Sequence, residues 1–340
     1  MSDDPVIQAV PLGFQWATVD PFLFCVHHLD LYPKANEHFG PDASLAARDL
    51  GMDFEGGDGW RMYHGTTVPG FPQHPHRGFE TVTFVRRGYV DHSDSLGARA
   101  RFGRGDVQWL TAGKGIVHCE MFPLLDRHGP NTCELFQIWL NLPAGDKMVD
   151  PYFTMFWGED LPRHVAKDDA GRATEITVIA GRLEGLEPPS PPPDSWASRP
   201  EADVAIWHLV CDADARWEIP PAVADDTIRT LYVFEGSVQI GDHDLEASTG
   251  AVVRAHEPVA LTAGSAGAEV LVLQGRPIGE PVAQYGPFVM NDQAGIEQAI
   301  NDYRATGFGG WPWPVDDPVH ARDDGRFAVH PDGRRESPGT

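Results

Sequence analysis

Hydrophobic and polar residues alternate in short runs through residues 1–180. Examples are DPFLFCVHHLDL (20–31), GFETVTFVRRGYVDH (78–92), ARARFGRGDVQWLTAG (98–113), GIVHCEMF (115–122) and TCELFQIWLNLP (132–143). A period of two places alternate side chains on opposite faces of a strand, and Gly, Pro, Asp or Asn bounds each run. Thr81 to Val85 is β-branched and aromatic. The turn residues AspSerLeuGly at 94–97 predict a hairpin into Ala98–Phe102. Helical periodicity is confined to a weak patch near Ser44–Leu50, so this half of the chain reads as all-β.

Residues 184–203 (EGLEPPSPPPDSWASRPEAD) are Pro, Ser and acids without a hydrophobic period, which predicts a linker or exposed loop. A second β-rich block follows, with WHLVCDA, IRTLYVFEGSVQIG, AVVRAH and AEVLVLQGRP. Its TLYVFEG (230–236) echoes TVTFVRRG (81–88), a weak internal repeat whose second copy lacks paired histidines. Residues 292–305 predict a helix, with Asp292 as cap and Ile296, Ala299, Ile300 and Tyr303 on one stripe. The expected organisation is therefore a β-barrel domain over 1–183 and a linker over 184–203. A second barrel with the terminal helix follows over 204–308, and a disordered tail over 309–340.

Composition supports this reading. The 340 residues exceed one comfortable core, and 36 Gly with 30 Pro suit many strands joined by turns. Fifty acidic against 26 basic residues give a formal net charge of −24, which repels nucleic-acid phosphates and anionic lipid. No stretch reaches the roughly 18 apolar residues that span a bilayer, and MSDDPVIQAV is acidic where a secretory signal is basic. A cytoplasmic protein with no direct nucleic-acid or membrane partner is the expectation. Cys25, Cys119, Cys133 and Cys211 form no CxxC pair, against a thiolate zinc site or disulfide framework.

The chemistry concentrates in HPHRGFE (74–80) and GIVHCE (115–120). On extended strands His74 and His76 project to one face, as do His118 and Glu120, with Pro75 and Cys119 turned away. Neighbouring strands would bring the four to one interior point. Three imidazoles and a carboxylate suit Fe, Mn, Ni, Cu or Zn. With 15 histidines in the chain a single HxH pair is ordinary decoration, but two such pairs in β context are not. His92 and Asp94 also stand at i and i+2, yet a turn-forming role explains them. Glu80 is in phase with His74 and His76 and could reach the same interior, although a structural role fits it better. His27 and His28 must face opposite sides. Cys119 reads as a packed thiol. No helix follows GRGD (103–106) or GKG (113–115), so neither is a phosphate cradle.

GFPQHPHRGFETVT (70–83), DSLG (94–97), GDVQWLTAGKGIVHCE (105–120), QIWLNLPA (137–144) and EPVAQYGPFVMN (280–291) together resemble the pirin family of the cupin superfamily, over about 300 residues. The resemblance implies a bicupin, two cupin-type antiparallel β-barrels, with Fe(II) in the N-terminal one. It implies His74, His76, His118 and Glu120 as ligands, Glu80 as a non-ligand and a metal-free second barrel. Tyr285 stands where the family often has His, and the Pro-rich insert and the tail are longer than the family leads one to expect.

The activity implied is that of quercetin 2,3-dioxygenase, an oxidoreductase that cleaves a flavonol-like aromatic ring with O2, Glu120 serving as ligand and proton acceptor. An iron-dependent redox sensor that binds a transcription regulator is the alternative, and a relic barrel that binds metal without using it is a third. The enzyme is favoured, with one divalent metal (Fe(II), or else Mn, Ni, Cu or Zn), a small aromatic substrate, and a monomeric state.

Overall fold

The computed structural model describes residues 4–339. The described residues are nearly all-β, with one α-helix among them at Gln293–Thr306. It divides into two compact units, each made of discontinuous segments. A histidine unit comprises His27–Gln137, Ala144–Glu159 and the chain from Glu280 onward; a second unit comprises the chain up to Val26, Ile138–Pro143 and Asp160–Gly279. This division cuts across the boundaries expected from the sequence. The first strand, Val6–Pro11, pairs antiparallel with Thr249–Val253, Ala9 opposite Ala251, so it belongs to the second unit. The helix and the terminal segment belong instead to the histidine unit.

Within the histidine unit, one sheet orders strands Tyr152–Phe156, Asp106–Thr111, Phe79–Arg87, Asn131–Asn141 and Phe22–Tyr32, the last two also running into the second unit. The other orders Arg335–Glu336, Phe327–Val329, Arg99–Gly103, Tyr89–Asp94, Ile116–Met121 and Gly70–His76. Tyr32, Val85, Phe102, Leu110 and Leu135 pack between them in one buried cluster. The hairpin predicted at 94–97 forms. Asp94 Oδ1 accepts from Leu96 N (2.9 Å) and Ala98 N (3.0 Å), and Gly97 takes φ +83°. Asp292 caps the helix, its Oδ1 accepting from Gly295 N (2.7 Å), and the helix buries Ile296 and Ala299.

In the second unit, sheet order runs Val6–Pro11, Thr249–Val253, Ile228–Ile240, Val259–Gly275, Ala205–Cys211, Ala173–Ala180, Arg163–Lys167. Its interior is aliphatic, with Leu231, Val233, Val253, Val270 and Val272 buried together. The Pro-rich stretch is held against this unit by two 3-10 turns and by Trp196 Nε1, which donates to Arg276 O (2.9 Å).

The disorder expected after Gly309 gives way to order. Phe327–Val329 adds to the sheet edge with Phe327 opposite Arg101. Arg101 is fully buried; its Nε and Nη2 donate to the Asp91 carboxylate at 2.7 Å each, and its Nη1 and Nη2 reach Ala321 O (2.6 Å) and His320 O (2.9 Å). A polar, acidic composition hides such anchors because a few buried hydrogen bonds to backbone, not a hydrophobic period, hold the segment down. Arg101→Ala strands Asp91 as a buried charge and releases these tail carbonyls. It should cost about 3–5 kcal/mol in chemical denaturation and expose the tail to protease; a loss under about 1 kcal/mol would contradict this anchoring.

Candidate metal centre

The histidines sit on two adjacent antiparallel strands, Gly70–His76 and Ile116–Met121, with His74 directly opposite His118. Cross-strand partners share a face, so the i and i+2 rule places His74, His76 and His118 together. Their rings lie 4.5 Å (His74–His118), 4.8 Å (His74–His76) and 4.8 Å (His76–His118) apart between centroids. One nitrogen from each falls within 4.8 Å of the others, a span that a single ion could bridge.

Backbone contacts orient the rings. His74 Nδ1 lies 2.8 Å from Pro72 O, which fixes the Nδ1–H tautomer and leaves Nε2 with a lone pair. His76 bonds the backbone at Pro287. Both nitrogens of buried His118 lack a hydrogen-bond partner, which burial makes costly unless a ligand takes one. The donor set therefore fits a divalent ion with borderline nitrogen preference.

The Pro287 contact explains why EPVAQYGPFVMN, distant in sequence, belongs to this unit. Arg77 N donates to Pro287 O (3.2 Å), and Val289 N donates back to Arg77 O (3.0 Å). Gly78, at φ +84°, closes the turn there; a Cβ on it would lie 1.9 Å from Val289 O. Tyr285 itself is 66% exposed.

Glu120 stands beside the triad rather than inside it. Its Oε2 is 3.9 Å from His118 Nε2, while Gln137 Nε2 donates to the same Oε2 at 3.1 Å. Thr83 Oγ1 lies 3.0 Å from Glu120 Oε1 and 2.6 Å from Gln137 Oε1. Thr83 has one hydroxyl hydrogen. It points to Gln137 over the shorter contact and to Glu120 over the longer one. Burial, opposed by His92, Thr83 and Gln137, raises the Glu120 pKa.

Glu80 does not join them. His76 and Glu80 lie on successive strands separated by the Gly78 turn, so phase is not carried across. Glu80 accepts from Thr111 (2.6 Å), its partner across the strand pair. His92 and Asp94, read from sequence as turn residues, do face the site. His92 pairs with Glu120 and Asp94 with His118, and the His92 ring is 5.4 Å from that of His118. Asp94 Oδ2 lies 3.1 Å from His92 Nε2. Asp94 thus serves both the turn and the site. The available signal was the same i, i+2 spacing; what no spacing reveals is that Thr83 and Gln137 cross from the opposite sheet to hold Glu120. Cys119 turns away to pack with Val68 and Met121, where burial pushes its thiol far up.

Such a barrel with inward paired histidines defines a cupin, and the two barrels make the protein a bicupin. The family descriptions Pirin and Pirin C-terminal cupin domain match residues 12–140 and 206–309. A Pseudomonas aeruginosa protein named putative quercetin 2,3-dioxygenase is 41% identical over 239 residues, 70% of this chain and 79% of that one. A pirin-like protein of Caulobacter vibrioides is 38% identical over 240 residues, 70% and 80% of the two chains. The crystal structure of a quercetin 2,3-dioxygenase from Acinetobacter baumannii aligns with TM-score 0.70 and 26% identity, covering 91% of this chain and 99% of that one. This chain belongs to the pirin family. No helix among the described residues is long and apolar enough to cross a membrane.

Buried histidines set the sign of acid stability. Burial holds His74 down to about 4, against its bond to Pro72, and His28 down to about 3. Unfolded histidine titrates near 6.5. As pH falls below that value the unfolded chain gains protons that the folded chain refuses, so stability present above it is lost, at about 1.4 kcal/mol per pH unit per group. Urea midpoints of chelator-treated protein should drop between about pH 7 and pH 5, less steeply in His28→Gln. An equally steep drop in the variant would remove His28 from this account.

Proposed function

We propose that this chain is a metal-dependent dioxygenase of the quercetin 2,3-dioxygenase type, acting on a flavonol-like enolic aromatic. The observation that carries the reading is the convergence of His74, His76 and His118, with neither nitrogen of His118 hydrogen-bonded. His74, His76, His118 and Glu120 would hold the ion, Fe(II) by family expectation. A bound divalent ion supplies Lewis acidity toward a deprotonated hydroxyl and redox access to O2.

The chain's own residues supply the rest. Glu120, as a carboxylate, is the base placed to accept the substrate's hydroxyl proton. Thr83 and Gln137 donate to that carboxylate and hold it in place. Phe71 (6.3 Å from His74), Phe79 (5.1 Å from His76) and Phe153 (5.6 Å from His92), all between ring centroids, give apolar walls suited to a planar ring. Burial of His76 and His118 excludes water from the reacting atoms.

Burial also favours a second reading. His118 is 0%, His76 3% and Glu120 5% exposed, leaving only His74 partly open. A centre so enclosed suits a redox sensor read by a protein partner. Metal analysis and oxygen uptake with quercetin on one sample separate the two. The enzyme predicts about one metal per chain with ring cleavage, both lost in His74→Ala and His118→Ala, and a roughly 10–100-fold loss of turnover in Thr83→Val at normal metal content. Full metal loading without oxygen uptake on any flavonol supports the sensor; a wild-type chain that takes up no metal refutes both.

A further inference from the structure

The interior of the second unit is largely aliphatic, and a buried arginine stands in it at one rung. Arg229, Gln274 and Ala205 are cross-strand partners there, so they share the face that buries Leu231, Val233 and Val272. Arg229 is 0% exposed. Its Nε donates to Gln274 Oε1 (2.8 Å) and its Nη2 to Pro220 O (2.9 Å). Nη1 has no protein partner.

The nearest acid does not neutralise it. Asp203 Oδ2 accepts from Val223 N (2.9 Å), Ala224 N (3.1 Å) and Thr227 Oγ1 (2.7 Å), and Gln274 Nε2 donates to Asp203 O (3.1 Å) and Oδ1 (3.3 Å). The carboxylate is thus engaged by other donors and forms no ion pair with Arg229. Burial pushes the guanidinium down to about 10, with Asp203 opposing, so it remains a cation at neutral pH. One rung along, on the same face, lies Trp207, 2% exposed, opposite Val272. Its indole N–H also lacks a partner, and the Arg229 Cζ is 5.8 Å from its ring centroid.

A buried cation whose nearby carboxylate is engaged by other donors and makes no direct ion pair with it is strongly unfavourable, and guanidinium and indole N–H groups are donors only. Two unsatisfied donors beside a buried positive charge select an acceptor that is anionic, and the aliphatic surroundings select a small one. We propose that this barrel binds a small oxyanion of the formate or nitrate class through Arg229 Nη1 and the Trp207 indole N–H. The two barrels then differ in the sign of what they bind: histidines collect a cation in one, and a guanidinium collects an anion in the other. The site is independent of the metal centre, and nothing in the proposed oxygenase reading requires it.

The test uses full-length protein dialysed into sodium gluconate, whose anion is too large for such a site. Sodium formate then replaces gluconate at constant ionic strength while thermal unfolding is followed. The wild-type midpoint should rise by about 3 °C once formate is roughly tenfold above its Kd. Arg229→Met should show no rise, and Trp207→Phe, which deletes only the indole N–H donor and part of the ring, a smaller one. No rise in the wild type, or the same rise in Arg229→Met, overturns the proposal and leaves a buried water as the partner of Nη1. If Arg229→Met fails to fold, wild-type crystals soaked in bromide decide the matter. An anomalous peak within hydrogen-bonding reach of Nη1 supports the site, and its absence overturns it.

Discussion

The register that sets His74 opposite His118 is the constraint on which the rest of the histidine unit depends. A slip of one residue between these strands would turn His74 and His76 to the face opposite His118 and Glu120, because side chains alternate at every step. Several features hold that register. A bulge lies between Phe71 and His74, the hairpin turn is tied by Asp94, and Gly78 lets the Pro287–Val289 segment press against the first histidine strand. The ring orientations follow, since Pro72 and Pro287 supply the backbone groups that orient His74 and His76.

Polar groups in the two interiors have different standing. Around the histidines many polar groups answer one another: Thr83 to Gln137 and Glu120, Asp94 to His92 and the turn amides, Arg101 to Asp91. Such networks are stable only when complete, and His118 is the histidine of the triad with neither nitrogen hydrogen-bonded. In the aliphatic barrel, Arg229 stands nearly alone, so its charge has few neighbours to share it.

Much of this was legible in the chain. Alternation with period two identifies the strands, and the i, i+2 histidine pairs mark the strands that carry the site. The Asp292 cap and the Ile296–Ala299 stripe locate the helix to within a residue. Non-local pairing was not legible. Phase predicts faces only within one strand, so the alignment of Glu80 with His74 and His76 lapses where Gly78 ends the first. Nothing in Val6–Pro11 announces Thr249–Val253 as its partner, and nothing in the polar stretch after Gly309 announces Arg101. His92 was visible by spacing but was masked by the turn chemistry of its neighbour Asp94.

The discontinuity of the histidine unit has a consequence for biosynthesis. Its ligand strands are complete once residue 121 has been made, yet the segment behind His76 lies at 287–289 and the sheet edge is closed by 327–329. An N-terminal barrel that folded on its own as it left the ribosome could take up metal early. Here the unit must wait for nearly the whole chain, including the entire second barrel, to be translated. A chain ending before residue 287 would carry His74, His76, His118 and Glu120 without the framework that aims them.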